Sequence, residues 1–388
     1  MNQTLLQISL LLPLFAAMSI FALRLWGVSI QEKFMSRSGL IINSVNLCCL
    51  IFLAINFLQH GAFSVSLNGI HTPWDFYFDG FSLSYAILSA IVCWVVMKFS
   101  QSYLHRDPFF NDYYGLVLFF TFGMNMVVFS DRFIGLFIGW EVIGLCSVFL
   151  IAYFRQRQEP VKGAIRAFII YRICDVGLLF AGLMYDGYLH NINDLAGQQI
   201  AVPLALALVF ASLGKSGLLP FSEWLPRAME GPTTSSAMFY GALSVHLPVY
   251  LLLRCAPLFE DIMFIKVVII VIGFSSAVYA AICARVQTDI KTSLAFSTIA
   301  QIGIIFIEIA CGFYTLAMIH TCGHAILRLS QLLRAPSIIR IIRNIESQSR
   351  QALSEEHKTT NVHLFNWAIN RGFNDRLMQN HIVSNFIK

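Results

Sequence analysis

The sequence predicts an all-α polytopic membrane protein of about eleven transmembrane helices, at least one of them broken, with an amphipathic C-terminal tail. Three observations predict it. First, 57% of the 388 residues are hydrophobic and 12% are charged, where a soluble domain has roughly 45–50% and about 25%. Second, the apolar residues fall in runs of about 20, the length that crosses a hydrocarbon core as a helix. Third, Lys and Arg concentrate in alternate connections between those runs, as positive-inside topology requires. In water such a chain would expose large apolar patches and aggregate, which excludes a cytosolic enzyme, a disordered chain and a secreted disulfide scaffold. The runs are too long and uniform for a β-barrel. The net charge of +5 is spread thinly and leaves no nucleic-acid footprint.

The predicted spans lie near 5–26, 38–57, 79–99, 113–130, 133–154, 164–185, 201–219, 234–253, 262–284, 290–311 and 314–333. Leu, Ile, Val and Phe fill them nearly all round, which suits helices facing lipid or each other. The opening MNQTLLQISLLLPLF lacks a basic n-region and a small-residue cleavage site, so it reads as a first span. The nine cysteines form no C-x-x-C and read as small hydrophobes, so no zinc or iron–sulfur cluster is expected on this chain. The odd-numbered loops hold twelve Lys and Arg between Arg24 and Lys291, and the even-numbered loops hold Arg132, Arg254 and Lys266. The odd loops are therefore expected to be cytoplasmic, the N-terminus outside and the C-terminus inside. Beyond the eleventh span, 336–360 turns polar, and 362–388 is amphipathic, with Phe365, Trp367 and Phe373 among its apolar residues. That segment is either a helix lying on the membrane or a docking segment for a cytoplasmic partner.

Charges at mid-span cost at least about 2.5–3.5 kcal/mol on insertion scales, so each needs a reason. In the fifth span Glu141 sits in FIGWEVIGLCSVF, either as an inert protonated carboxyl or as half of a shifting ion pair. The sixth holds Arg172 and Asp175, three apart on one face, a supporting ion pair with a coupling role left open. The seventh is ASLGKSGLLPFSEWLP. There Gly214, Gly217 and Pro220 argue for a discontinuous helix around Lys215, whose backbone can face a watery cavity. Lys215 either binds and releases protons or snorkels to an interface. It is not a phosphate-loop lysine, because Val209 stands where that motif requires Gly. His246 lies mid-span in the eighth, as a core residue or a pathway residue. Lys291, at the start of the tenth, is either interfacial or an entrance for cytoplasmic protons. In the eleventh, His320, His324 and Arg328 recur every four residues, lining one helix face over about 12 Å. A proton path is the stronger reading of this row. A metal site would need the Glu that H-E-x-x-H places after its first His, and a third ligand. Glu308 either joins the row or faces water.

Several stretches resemble the antiporter-like, proton-conducting membrane subunits of respiratory Complex I. They are FIGWEVIGLCSVFLI, KGAIRAFIIYRICDVGLLFAG, LGKSGLLPFSEWLPRAMEGPTTSSA and QTDIKTSLAFSTIAQIG with IHTCGHA. The resemblance covers roughly 75–330. It implies a Mrp/Complex I-type core of helical repeats with broken helices and a central line of charges. Glu141 falls on the family's charge-pair glutamate and Lys215 on its central lysine, and Lys291, His320 and His324 fall on polar-axis positions. The departures are Tyr240, where the family has a histidine, His246 six residues on, and Arg328, where the family has a lysine. The family's next broken helix and lateral helix do not follow.

With SSAxFYGALSVH and HAxLRxxQLLRAPS, the chain looks more like the membrane subunit of DAB-type inorganic-carbon accumulation systems. That resemblance implies a large cytoplasmic partner similar to a zinc β-carbonic anhydrase. Entry of H+ or Na+ would drive CO2 hydration there, so the zinc and the chemistry belong to the partner and this chain is a transporter subunit, not an enzyme. The expected organisation is N-terminal helices at 1–112, a proton-conducting core at 113–333 and a cytoplasmic tail at 334–388, in a bacterial inner membrane. The alternative is a proton-pumping subunit of a Complex I-type NADH–quinone oxidoreductase.

Overall fold

In lipid a backbone has no water to bond with, so long apolar runs must satisfy their N–H and C=O groups within themselves. The computed structural model describes residues 2–28, 30–66, 75–184, 201–349 and 362–371, and among them every predicted span is helical. The helices are α1 (Asn2–Leu25), α2 (Glu32–His60), α3 (Gly80–Tyr103), α4 (Phe110–Phe129), α5 (Phe133–Ile151), α6 (Gln158–Met184), α7 (Ala201–Ser216) and α8 (Thr233–Arg254). After these come α9 (Met263–Val286), α10 (Ile290–Ala310), α11 (Tyr314–Ser349) and α12 (Val362–Ile369). Nine of them, α1 to α6 and α8 to α10, are long and apolar enough to cross a membrane.

Two features depart from the predicted elements. The second loop contains a two-stranded antiparallel sheet, β1 (Phe63–Ser66) with β2 (Asp75–Phe78), so the chain is not purely helical. Four-residue strands are too short to register against the long apolar runs on either side. The eleventh helix also does not stop near 333 but continues to Ser349, through Pro336. Residues 334–349 therefore begin as an extension of the last long helix, not as a separate tail.

The helices pack mainly as sequence neighbours: α2 on α3, α4 on α5, α6 on α7 and α9 on α10, with α1 lying along α4. Within α1, Pro13 has no N–H to give the Ser9 carbonyl one turn back. Asn125 of α4 makes good the loss, its Nδ2 donating to Ser9 O at 2.9 Å and to Asn46 Oδ1 of α2 at 3.0 Å. One buried amide thus ties three helices together where a proline opened the first.

The end of the bundle carrying β1 and β2 is closed by ion pairs. Arg132 Nε donates to Asp75 at 2.8 Å. Arg254, at the end of α8, reaches Asp79 at 3.3 Å and Asp131 at 3.4 Å and lies over Tyr77. Asp79 also caps α3 by accepting from Ser82 N at 2.7 Å. Both arginines of these loops are buried structural cations.

Candidate functional site

The expected broken helix is present, and it builds the first half of the site. Helix α7 ends at Ser216, and Gly217 follows in the left-handed region at φ +64, which a side chain would strain. Pro220 comes next, through a cis bond from Leu219. Gly214 lets α7 press against α6, since a Cβ there would sit 2.4 Å from Cys174 Cβ. That contact places Lys215 beside the charged stretch of α6 and against α5.

Four charged side chains meet here. Arg172 bridges both carboxylates, with one guanidinium nitrogen on Glu141 and the other on Asp175 at 2.9 Å. The Trp140 indole N–H donates to Asp175 at 2.5 Å. Lys215 is 0% exposed, and its ammonium donates to the Trp140 carbonyl. It lies 4.1 Å from the centre of the Trp140 ring and 5.7 Å from that of Tyr171, distances at which cation–π attraction operates. Arg172 thus engages both carboxylates while Lys215 rests on a carbonyl and two ring faces. Glu141 Oε1 is buried with no hydrogen-bond partner. The quartet is neutral when all four are ionised, so moving one carboxylate from Arg172 to Lys215 redistributes charge without creating a net one.

The second half is built by α8, α10 and α11. Residues Ser236–Ala242 form a π-helical stretch, a feature that recurs at functional sites because it re-aims side chains and frees carbonyls. It is followed by His246, fully buried, whose Nε2 lies 2.9 Å from His324 Nδ1. Arg328 donates through Nε to His324 Nε2 at 3.0 Å. His320 pairs with Glu308 at 2.8 Å and with Gln301 at 3.1 Å. Its ring centre is 6.3 Å from that of His324, a gap without a direct hydrogen bond. Glu308 therefore joins the row.

Between the two halves stand Tyr171, Ser147 and Tyr240. Ser147 Oγ donates to Tyr171 OH at 3.2 Å, and Tyr240 OH donates to the Ser147 carbonyl at 3.2 Å. Lys291 lies apart from the histidines. Its ammonium donates to the carbonyls of Met229 and Gly231 at 3.3 and 3.4 Å, pinning the loop after the broken helix.

In the tail, Trp367 packs edge-on against Tyr279 of α9 at 5.8 Å, and Tyr279 OH donates to the Arg371 carbonyl at 3.0 Å. Phe365 is half-buried, while Leu364 and Ile369 are exposed. Phe373 lies outside the described residues.

Sequence reasoning missed the pairing of Glu141 with Arg172, the double role of Trp140, and a buried Arg166–Glu223 pair at 3.0 Å. The first and third join residues 31 and 57 positions apart in the chain, so no local spacing could show them. The tryptophan had a signal, because it directly precedes Glu141.

A family profile described as "NADH:quinone oxidoreductase/Mrp antiporter, TM" matches residues 130–364, the region that holds both halves of the site. The chain belongs to this family. A second profile, "NADH-Ubiquinone oxidoreductase (complex I), chain 5 N-terminus", matches residues 65–114. Among curated proteins, this family member is 34% identical over 287 residues to NADH-ubiquinone oxidoreductase chain 5 of Balaenoptera musculus, covering 72% of this chain and 47% of the relative. It is 36% identical over 273 residues to the same protein of Halichoerus grypus, covering 68% and 44%. The chain thus spans about half the length of the curated relatives it matches. Among solved structures, the Mrp complex from Dietzia sp. DQ12-45-1b aligns with TM-score 0.70 at 26% identity, over 83% of this chain and 37% of that one. A chain of the membrane-bound sulfane sulfur reductase, an archaeal respiratory membrane complex, aligns with TM-score 0.73 at 20% identity, over 85% and 70%, and so shares the fold. With these relatives, and with nine helices among the described residues long and apolar enough to cross a membrane, the protein is an antiporter-like, multi-span integral membrane protein.

Proposed function

We propose that the chain conducts protons as a membrane subunit of a larger Complex I- or Mrp-type assembly and has no catalytic activity of its own. The supporting observation is Lys215. It is a buried lysine at the broken end of a helix, next to two carboxylates that a single arginine holds. A lysine without a fixed counter-ion can accept a proton, draw a carboxylate from Arg172, and release the proton when the carboxylate returns. Glu141, Arg172 and Asp175 are the switching partners in this reading, and His246, His320, His324 and Glu308 extend the path. Lys215→Met should abolish proton flux into vesicles holding the intact assembly, while insertion and assembly persist. Wild-type flux from the assembled variant would sink the proposal.

The orientation is read from the loop charges, twelve Lys and Arg in the odd-numbered loops against three in the even-numbered ones. The odd loops are therefore read as cytoplasmic.

A second reading keeps the inorganic-carbon system, with a cytoplasmic zinc partner. One observation favours it. Two of the departures from the Complex I pattern, His246 and Arg328, meet on His324 in one hydrogen-bonded unit, and the third, Tyr240, lies in the π-helical stretch leading to His246. The protein that co-purifies in mild detergent separates the readings: a zinc hydratase-like protein, or a flavin and iron–sulfur assembly.

A further inference from the structure

Arg328 stands on α11 one turn beyond His324 and is 6% exposed. Its guanidinium meets neutral acceptors: Nε donates to His324 Nε2 at 3.0 Å, Nη1 to Gln331 Oε1 at 2.7 Å, and Nη2 to the Ser297 hydroxyl. A guanidinium has five N–H donors and no acceptor, and it keeps its proton in proteins. The Arg328–His324 bond therefore has one direction. His324 Nε2 supplies a lone pair and carries no hydrogen.

A neutral imidazole has a single N–H, so the proton of His324 sits on Nδ1. That atom lies 2.9 Å from His246 Nε2, so His324 donates and His246 accepts. By the same rule His246 carries its proton on Nδ1, which is buried without a hydrogen-bond partner. One fixed donor thus sets the polarity of two imidazoles in series.

We propose that Arg328 is a latch on this histidine pair. It primes the pair, because the proton of His324 already points at His246. It also blocks the pair. For His324 to pass its Nδ1 proton to His246 Nε2, His324 must gain another at Nε2, and His246 must release its own from Nδ1 to a water molecule entering beside it. Nε2 is the atom Arg328 covers. Protons arriving from the His320–Glu308 side therefore cross only when the guanidinium moves off. Arg328 keeps its own protons throughout, so it is a positioning residue and not a relay. The latch rests on the proton-conduction reading, but its geometry can be read without transport.

The experiment is 15N NMR of full-length protein labelled at histidine and arginine, in lipid bilayers. His324 is assigned by its coupling to Arg328 Nε and by the signals missing from His324→Gln. Wild type should show His324 as the neutral Nδ1–H tautomer. An Nε2–H tautomer or an imidazolium in wild type would overturn the proposal, whatever the variants do. Arg328→Met should shift His324 to a tautomer mixture and raise passive proton leak into vesicles severalfold, and Arg328→Lys, still a donor, should restore the Nδ1–H form. An unchanged tautomer or unchanged leak in Arg328→Met would also overturn the latch. Wild-type protein that passes no protons under any imposed gradient, yet shows the Nδ1–H tautomer, would refute the conduction reading and leave the polarity of the pair standing.

Discussion

Trp140 ties the two signs of charge in the first cluster together. Its indole N–H holds Asp175, and its main-chain carbonyl holds Lys215. Neither role requires tryptophan's bulk, but the first requires its N–H. Trp140→Phe keeps the ring beneath Lys215 and removes one hydrogen bond to a charged acceptor, worth about 1.5–3 kcal/mol. If that bond orders the switch, proton flux should fall roughly 10- to 100-fold, with assembly intact. Flux within a factor of two of wild type would show that Arg172 alone fixes Asp175. At this scale the residues of the site were legible wherever a charge interrupts an apolar run: Glu141, Arg172, Asp175, Lys215, His320, His324 and Arg328. Their partners were not. Arg172 shares a helix face with Asp175, which spacing reveals, but it meets Glu141 only because α5 and α6 pack side by side.

At the scale of elements, the site depends on α7 pressing into α6. The contact has a size-exchange test. Gly214→Ala would place a Cβ 2.4 Å from that of Cys174, a clash neither backbone can absorb without separating the helices. Lys215 would be carried away from Trp140 and flux lost. Cys174→Gly in the same chain removes the obstructing atoms and should recover most of the activity. The broken helix itself was legible, because Gly214, Gly217 and Pro220 within a few residues are incompatible with an uninterrupted span. The length of α11 was not. Pro336 and the polar residues after it suggest a stop, yet a helix already nucleated by its apolar turns runs on to Ser349. The β1–β2 pair escaped for the opposite reason, being only two four-residue strands between much stronger helical signals.

At the scale of the whole molecule, the side of the membrane each loop faces can be read from one exposed thiol. Cys311 is exposed at the end of α10, on the side carrying β1 and β2. A membrane-impermeant maleimide should label it in sealed right-side-out cells if the odd loops are cytoplasmic. Labelling only after lysis would reverse the orientation. The sequence leaves the tail as either a helix lying on the membrane or a docking segment through Phe365, Trp367 and Phe373. The structure seats Trp367 on Tyr279 of the chain's own α9, while Leu364 and Ile369 of α12 are exposed. If the segment docks a partner, deleting 360–388 should release that partner while the membrane core still folds. Undiminished partner retention in a pull-down would mean the segment serves only as a strap across α9.

Composition and periodicity by themselves determined the class of the molecule, its apolar segments and the loops between them, because a backbone in lipid must close its own hydrogen bonds and a charge there needs a reason. They also marked the chemistry-bearing residues, since each stands out against an apolar background. Tertiary structure decided who pairs with whom: Arg172 with Glu141, Lys215 with the Trp140 carbonyl, and His246 with His324 under Arg328. Those partners lie on different helices, and the energy of a buried charge depends on what reaches it across the packed interface, which no spacing along one helix encodes.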